Sequence, residues 1–544
     1  MVEQLRDIFP HCCERLPATF WHELEGLTLP DDMAEHFPKQ VEAFIAAAGG
    51  TGYLSDLARA ELARHRLRQR ALEFATASEA LRINPTLELL EVAWSPLLPL
   101  LEGAASRPQP SPQTLLFWRH PRTGRERQAV ASAEDLLALK VVAEQLEPLE
   151  IVAGAGRPVG VVDAALEKAT DKGLLLAPPS SLQRSDDFSV PPDTPEKYLR
   201  AEVFTLQWHI THRCELHCRH CYDRSSRDDV PLAQGLKILD QLRAFCLQHH
   251  VGGHVSFSGG NPFLHPDFFQ LYRQARERNL NLAILGNPVT EETLDKLLEI
   301  ASPSFFQVSL EGLQEHNDWI RGAGNFVAVL DFLDLLRKKQ IYSMVMLTLT
   351  RANMDQVLPL AEVLRDRVDL FTYNRLAMVG EGASLESPGA EEYRTFVRQY
   401  LQARQNNPVL ALKDSLINIE REQQRQGLFG GCTGFGCGAA FNFVSLLPDG
   451  QVHACRKLPS LIGDLNRQNL AEVYDSAAAR AYRRGCRECD PCRLRPVCGG
   501  CLAVAYGWGL DPLQGKDPGC FIGPAESAEM SFSTATMPPK EETP

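Results

Sequence analysis

Apolar positions change their spacing three times along the chain. Up to about residue 105 they recur at helical intervals, as Leu54, Leu57, Ala58 and Leu62 do, and Pro96, Pro99 and Gly103 close the region, so residues 1–105 are predicted to form a helical domain. Arg59, Arg64, Arg66, Arg68 and Arg70 crowd one of its helices. A solvated face is the plain account of that run, and a docking surface for an acidic peptide the sharper one. Beyond Arg107–Pro112 the pattern turns extended: Thr114–Trp118, a turn at Pro121–Gly124, and a second run ending at Val130 predict a hairpin. Ser132 with Asp135 then opens an apolar-periodic segment through Leu146, and Val159–Lys172 gives another helix, closed by Gly173 before Leu174–Leu176. Hairpin, helices and return strand make residues 112–178 a winged-helix-like module.

A polar, Pro-rich stretch, residues 179–198, is predicted to be a linker. From Val203 on, strand-like runs at 203–210, 254–258, 281–286, 305–310, 342–349 and 369–376 alternate with helical segments. Six βα units predict an α/β domain over 199–425, a parallel sheet curled into a partial (β/α)6 barrel with its chemistry at the C-terminal ends of the strands. A cysteine-rich domain follows at 430–525. The Ser-, Thr-, Pro- and Glu-rich tail, 526–544, is predicted to be disordered.

Composition narrows the function classes. With 544 residues, 44% hydrophobic and 23% charged, the chain is globular material for three or four domains. No stretch approaches the roughly 18 unbroken apolar residues of a membrane span, and Met1–Asp7 lacks the basic-then-apolar order of a secretory signal, so a cytoplasmic protein with no membrane partner is expected. The balance of 56 Lys+Arg against 69 Asp+Glu, a net −13, argues against nucleic acid as the main partner.

The fifteen cysteines are bunched, three in 214–221 and nine in 432–520, with only Cys12, Cys13 and Cys246 outside. Bunched thiols in a chain of this kind read as metal ligands rather than as a disulfide framework. Cys214-x3-Cys218-x2-Cys221 places three thiolates on one loop after the first barrel strand, which suits three irons of a [4Fe–4S] cube and leaves the fourth open. Zinc, with His217 or His220 as fourth ligand, is the alternative. Cys432, Cys437, Cys455, Cys489, Cys492, Cys498, Cys501 and Cys520 match two complete four-thiolate sites; a zinc ribbon accounts for the CxxC pairs but not for all eight in this order.

The first cluster resembles the signature of the radical S-adenosylmethionine (SAM) superfamily, with His220 where an aromatic residue is usual. That resemblance implies that Cys214, Cys218 and Cys221 hold a catalytic [4Fe–4S] cluster. Its open iron chelates SAM, whose reductive cleavage gives a 5′-deoxyadenosyl radical. Phe257–Pro262 resembles the family's Gly-Gly-Glu-Pro motif, so Gly259 and Gly260 are implied to approach the methionyl amino group. Asn261 stands where the acid would be, accepting only through a neutral carbonyl and predicting a weaker anchor or help from backbone carbonyls. Ser309 and Glu311, followed by His316 and Arg321, resemble the ribose-contacting motif and the arginine that meets the methionyl carboxylate; Tyr222 completes the implied SAM-side residues. The C-terminal array resembles the SPASM extension of peptide maturases. It implies that Cys432, Cys437, Cys455 and Cys501 hold one auxiliary cluster and Cys489, Cys492, Cys498 and Cys520 another. The last spacing is x2 where x3 is usual, and Cys486 is extra: a spare thiol, an alternative ligand or a substrate-docking group.

Residues 112–178 resemble the precursor-peptide recognition element of enzymes that modify ribosomally made peptides, in which a leader peptide adds a strand to the hairpin sheet. Sulfatase maturases of this family carry an acid just after the cysteine of the Gly-x4 spacing; here that position is Arg456. Cys432 to Cys520, with Gly500–Gly509 and Lys516–Phe521, most resembles the selenobiotic, or thio(seleno)oxazole-modification, maturases. The expectation is a peptide-modifying oxidoreductase with SAM, three [4Fe–4S] clusters, a precursor peptide as substrate, and an electron donor such as flavodoxin or ferredoxin. A radical SAM enzyme acting on a sulfatase, a small metabolite or haem, and a non-catalytic iron–sulfur redox protein, stay open.

Overall fold

The computed structural model describes residues 2–25, 33–48, 52–70 and 78–522, so the tail predicted to be disordered lies outside the described residues. The chain forms two compact units, Met1–Pro179 and Ser180–Pro544.

The first unit packs the helices Val2–Ile8, Ala18–Glu25, Met33–Ala48 and Tyr53–Gln69 around Phe9, Phe20 and Phe37, whose rings stack or meet edge to face. The basic run is a partly exposed face whose arginines, Arg64 excepted, are ion-paired. Arg66 pairs with Glu35 and Glu88, Arg68 with Glu126 and Arg59 with Asp56, while Arg64 donates to the Leu101 carbonyl at 2.6 Å. The partners of Arg66 and Arg68 lie far away in sequence, which a local charge pattern does not show.

Strands also occur in the region read as helical: β1 (Arg82–Ile83) and β2 (Glu88–Ser95). In β2 only Leu90 and Val92 are buried, a period of two too short to stand out beside the Leu89–Leu90 doublet. The predicted hairpin is β3 (Gln109–Arg119) and β4 (Glu126–Val130), and the sheet order is β2-β3-β4, all antiparallel. Ser132 and Asp135 form the capping box of the helix Ala133–Ala143, and Gly160–Asp171 is the last helix. The return strand β5 (Leu175–Leu176) pairs with β1, not with the hairpin.

In the second unit β6 (Val203–Thr211), β7 (Gly252–Gly259), β8 (Asn281–Leu285), β9 (Phe305–Ser309), β10 (Ser343–Leu349) and β11 (Leu370–Arg375) are parallel neighbours in chain order, each followed by helix. Their buried faces bear Trp208, Phe257, Phe306 and Tyr373. The sheet continues past β6 into the cysteine-rich region: β12 (Phe443–Leu446) runs parallel to β6, and β13 (Gln451–His453) and β14 (Leu461–Asp464) follow antiparallel. The partial barrel and the cysteine-rich domain therefore share one sheet and one core.

Residues 180–198, within the segment read as a linker, are packed into this unit. Leu182, Phe188 and Tyr198 are buried, and the buried Arg184 donates to the carbonyls of Phe435, Cys437 and Arg483 at 2.8, 2.7 and 2.6 Å with its guanidinium over Phe188 and Phe441. Three anchors without a common period, among prolines and acids, read as linker composition.

Candidate functional site

A cavity of about 480 Å³ opens at the C-terminal ends of the barrel strands. The loop leaving β6 brings Cys214, Cys218 and Cys221 to its wall, and burial pushes the Cys218 and Cys221 thiols up. Gly259, at φ +128°, and Gly260 line the same wall at the end of β7. A Cβ on either would lie about 2 Å from the Thr211 or Arg213 carbonyl oxygen (2.0 and 2.1 Å), so these glycines first of all let β7 close on the cysteine loop. Gly260 N and Asn261 N donate to those carbonyls at 2.9 and 2.8 Å. Asn261 turns its carbonyl toward the Phe263 N–H, at 3.4 Å, and its amide donates to Glu215 Oε1 at 2.9 Å.

Ser309 lies at the end of β9 and lines the cavity with Glu311 and Arg321. Glu311 is buried. Burial alone would raise its carboxyl, but His220 (Nε2 at 2.7 Å), Arg321 (Nε at 3.1 Å) and the Thr348 N–H (2.8 Å) hold it at about 2. Arg321 is thus already engaged on one side, its remaining nitrogens left for an anion in the cavity. Also lining the cavity, Tyr222 O–H stands 3.4 Å from His209 Nε2; burial drives His209 down to about 3 and Tyr222 up to about 12. Arg456 and Lys457 line the cavity too, and burial lowers Lys457.

The eight C-terminal cysteines fall into two groups. Cys489, Cys492, Cys498 and Cys520 line one small cavity. Cys437 feels the charges of Cys455 and Cys432, and Cys501 that of Cys437, while burial is the main cause that raises Cys437, Cys455 and Cys501. Cys486 stays outside the small cavity, its Sγ 3.1 Å from the Gln514 carbonyl; a bond from Cys489 draws it down to about 7 and raises Cys489. Among the described residues no three His, Cys, Asp or Glu side chains converge on a single-ion site. Four thiolates gathered around one small cavity suit a cluster whose irons each take one sulfur. Cys12, Cys13 and Cys246 are buried, as small apolar side chains would be.

Arg375, at the end of β11, was not singled out by the sequence. It is buried between Asp414 (2.8 Å) and Asp517 (2.8 and 2.5 Å), and Asp517 accepts from the N–H groups of Cys501 (2.7 Å) and Gly519 (2.8 Å), tying the last barrel strand to both cysteine groups. Glu215, Asn287 and Arg184 were likewise missed. Only Glu215, a charge set between candidate ligands, carried a sequence signal.

A three-thiolate loop at the strand ends of a partial barrel, with four further thiolates around a second cavity, suits an iron–sulfur protein of the SAM-cleaving kind. Residues 208–364 match the Radical SAM superfamily and residues 437–501 the SPASM iron–sulfur cluster-binding domain, so the chain carries a radical SAM core followed by a SPASM domain. It is 26% identical over 349 residues to the AdoMet-dependent heme synthase of Methanosarcina barkeri, covering 59% of this chain and 97% of that protein. It is 28% identical over 344 residues to the mycofactocin maturase MftC of Mycolicibacterium smegmatis (58% and 82%). To the subtilosin biosynthesis protein AlbA of Bacillus subtilis it is 26% identical over 311 residues (54% and 65%). Among solved structures, Streptococcus suis SuiB bound to S-adenosylmethionine aligns at 15% identity and a TM-score of 0.48, over 75% of this chain and 96% of that one. No described helix is long and apolar enough to cross a membrane.

Proposed function

We propose that this chain is a radical SAM enzyme that matures a ribosomally made precursor peptide, whose leader it captures on the outer edge of β4. The observation that carries this reading is that edge. Ala131 N donates to the Thr114 carbonyl and His120 N to the Arg125 carbonyl, so odd-numbered residues of β4 bond inward and the N–H and C=O groups of Gln128 and Val130 point outward. No described strand pairs there. Val130 on the strand, Leu136 on the helix Ala133–Ala143 and Val161 on the helix Gly160–Asp171 are exposed apolar side chains, the kind an added strand would cover.

Cys214, Cys218 and Cys221 would hold the SAM-cleaving cluster, Cys432, Cys437, Cys455 and Cys501 a first auxiliary cluster, and Cys489, Cys492, Cys498 and Cys520 a second. Bound SAM would supply the 5′-deoxyadenosyl radical that takes a hydrogen atom from the peptide. The protein's part is positional: Gly259, Gly260, Ser309, Glu311 and Tyr222 shape the SAM side, and Arg321 meets a carboxylate. With Arg456 in place of an acid, nothing at that position takes the proton of a sulfatase-type oxidation. Gly500–Gly509 and Lys516–Phe521 support the thio(seleno)oxazole-modification maturases as the nearest kind, and a flavodoxin or ferredoxin in the cytoplasm as reductant suits unprotected thiolates. The mycofactocin and subtilosin relatives support peptide chemistry.

A second reading, haem or metabolite chemistry, is favoured by the near-complete coverage of the heme synthase. That match covers 59% of this chain and the mycofactocin maturase match 58%, so the β4 edge, not coverage, separates the two readings. The anaerobically reconstituted full chain should carry about twelve irons and release 5′-deoxyadenosine. Peptide modification that requires the leader supports the maturase reading; turnover of a porphyrin indifferent to any leader overturns it.

A further inference from the structure

Asn261 leaves the SAM site without the acid that the Gly-Gly-Glu-Pro resemblance calls for, yet the structure puts a carboxylate beside it. Glu215 Oε1 accepts from Asn261 Nδ2 at 2.9 Å and from Asn287 Nδ2 at 3.0 Å. Asn287, Cys214 and Leu216 line the cavity, and the Asn287 amide lies 3.6 Å from Cys214 Sγ; Glu215 is itself an exposed side chain that meets the cavity wall through Asn287. The seam that holds Glu215 in place is rigid, since Gly260 and Asn261 bond the backbone of Thr211 and Arg213. Two neutral amides orient the carboxylate without neutralising it. The adjacent Arg213 is spent on Asp229 at 3.0 Å, and no described residue bonds Glu215 Oε2.

We propose that Glu215 supplies the negative charge facing the methionyl ammonium of SAM, with Asn261 and Asn287 as the residues that position it. The acid has moved from the end of β7 to the cysteine loop. This rests on the SAM-binding reading above. A loop staple alone would need only an oxygen acceptor, which glutamine also offers; an ammonium anchor needs the charge.

The test is SAM binding by equilibrium dialysis to the reconstituted, oxidised holoenzyme, without turnover, beside an iron count. Glu215→Gln should weaken SAM at least tenfold with iron unchanged, and Glu215→Gln with Asn261→Glu should recover wild-type affinity. A SAM analogue with hydroxyl in place of the amino group should bind wild type and Glu215→Gln alike. A smaller loss, a loss of iron in Glu215→Gln, failure of the exchange to recover binding, or an analogue that is also weakened would each overturn the assignment. Wild-type holoenzyme that binds no SAM would instead overturn the proposed function itself.

Discussion

Glu311 Oε1 stands 2.7 Å from His220 Nε2, tying the residue ahead of the third loop cysteine to the segment after β9. The same oxygen takes Arg321, and the other oxygen takes the Thr348 N–H of β10, so one buried carboxylate joins cysteine loop, helix and two strands. Glu311→Gln leaves Arg321 buried without its counter-charge, at a cost of about 3 kcal/mol. The expected readout is faster amide exchange across β9 and β10. His220→Phe, which restores the usual aromatic, should cost less in the Glu311→Gln background than in the wild type, by about 1 kcal/mol. Additive effects would mean that the two side chains are merely close.

Iron counts can assign the thiolates in pairs. Cys432→Ala with Cys437→Ala should remove about four of about twelve irons, whereas Cys437→Ala with Cys489→Ala should remove about eight. Cys486→Ala should remove none, because Cys486 lies outside the cavity that Cys489, Cys492, Cys498 and Cys520 line. Loss of iron in that variant would make Cys486 a ligand and displace one of the four.

The barrel was legible because its strands carry a recurrent buried apolar face, as Phe204, Leu206, Trp208 and Ile210 do in β6 and Phe306 and Val308 in β9. The cysteine loop was legible because its spacing is local. What stayed hidden depends on contacts between distant segments. Glu215 has meaning only beside Asn261 and Asn287, Arg375 only between Asp414 and Asp517, and Arg66 only against Glu35 and Glu88. β2 was missed for the same reason: two buried positions make a strand only once β3 lies alongside.

Arg184 shows what composition conceals. Its guanidinium satisfies the Cys437 and Phe435 carbonyls on the loop that carries candidate ligands. Arg184→Met keeps much of the packing but strands those acceptors, a loss of about 2–3 kcal/mol. Iron release to a chelator should become at least about tenfold faster for roughly four of about twelve irons and stay unchanged for the rest. Uniform acceleration would point instead to general destabilisation of the unit.

The outer edge of β4 is the most direct place to separate peptide from metabolite chemistry. Gln128 points its N–H outward, so Gln128→Pro deletes a donor that the protein does not use internally, at a position where an edge strand tolerates proline. An added leader strand would lose one main-chain bond and meet a proline ring. Leader affinity should fall at least tenfold, and leader-dependent modification should fall with it, while 5′-deoxyadenosine release without peptide stays at the wild-type rate. A change to Pro at Arg127, whose N–H faces β3, should instead disturb the sheet itself and serve as the structural control. Unaltered leader binding in the Gln128 variant would remove β4 as the recognition strand and return the N-terminal unit to a role apart from the peptide.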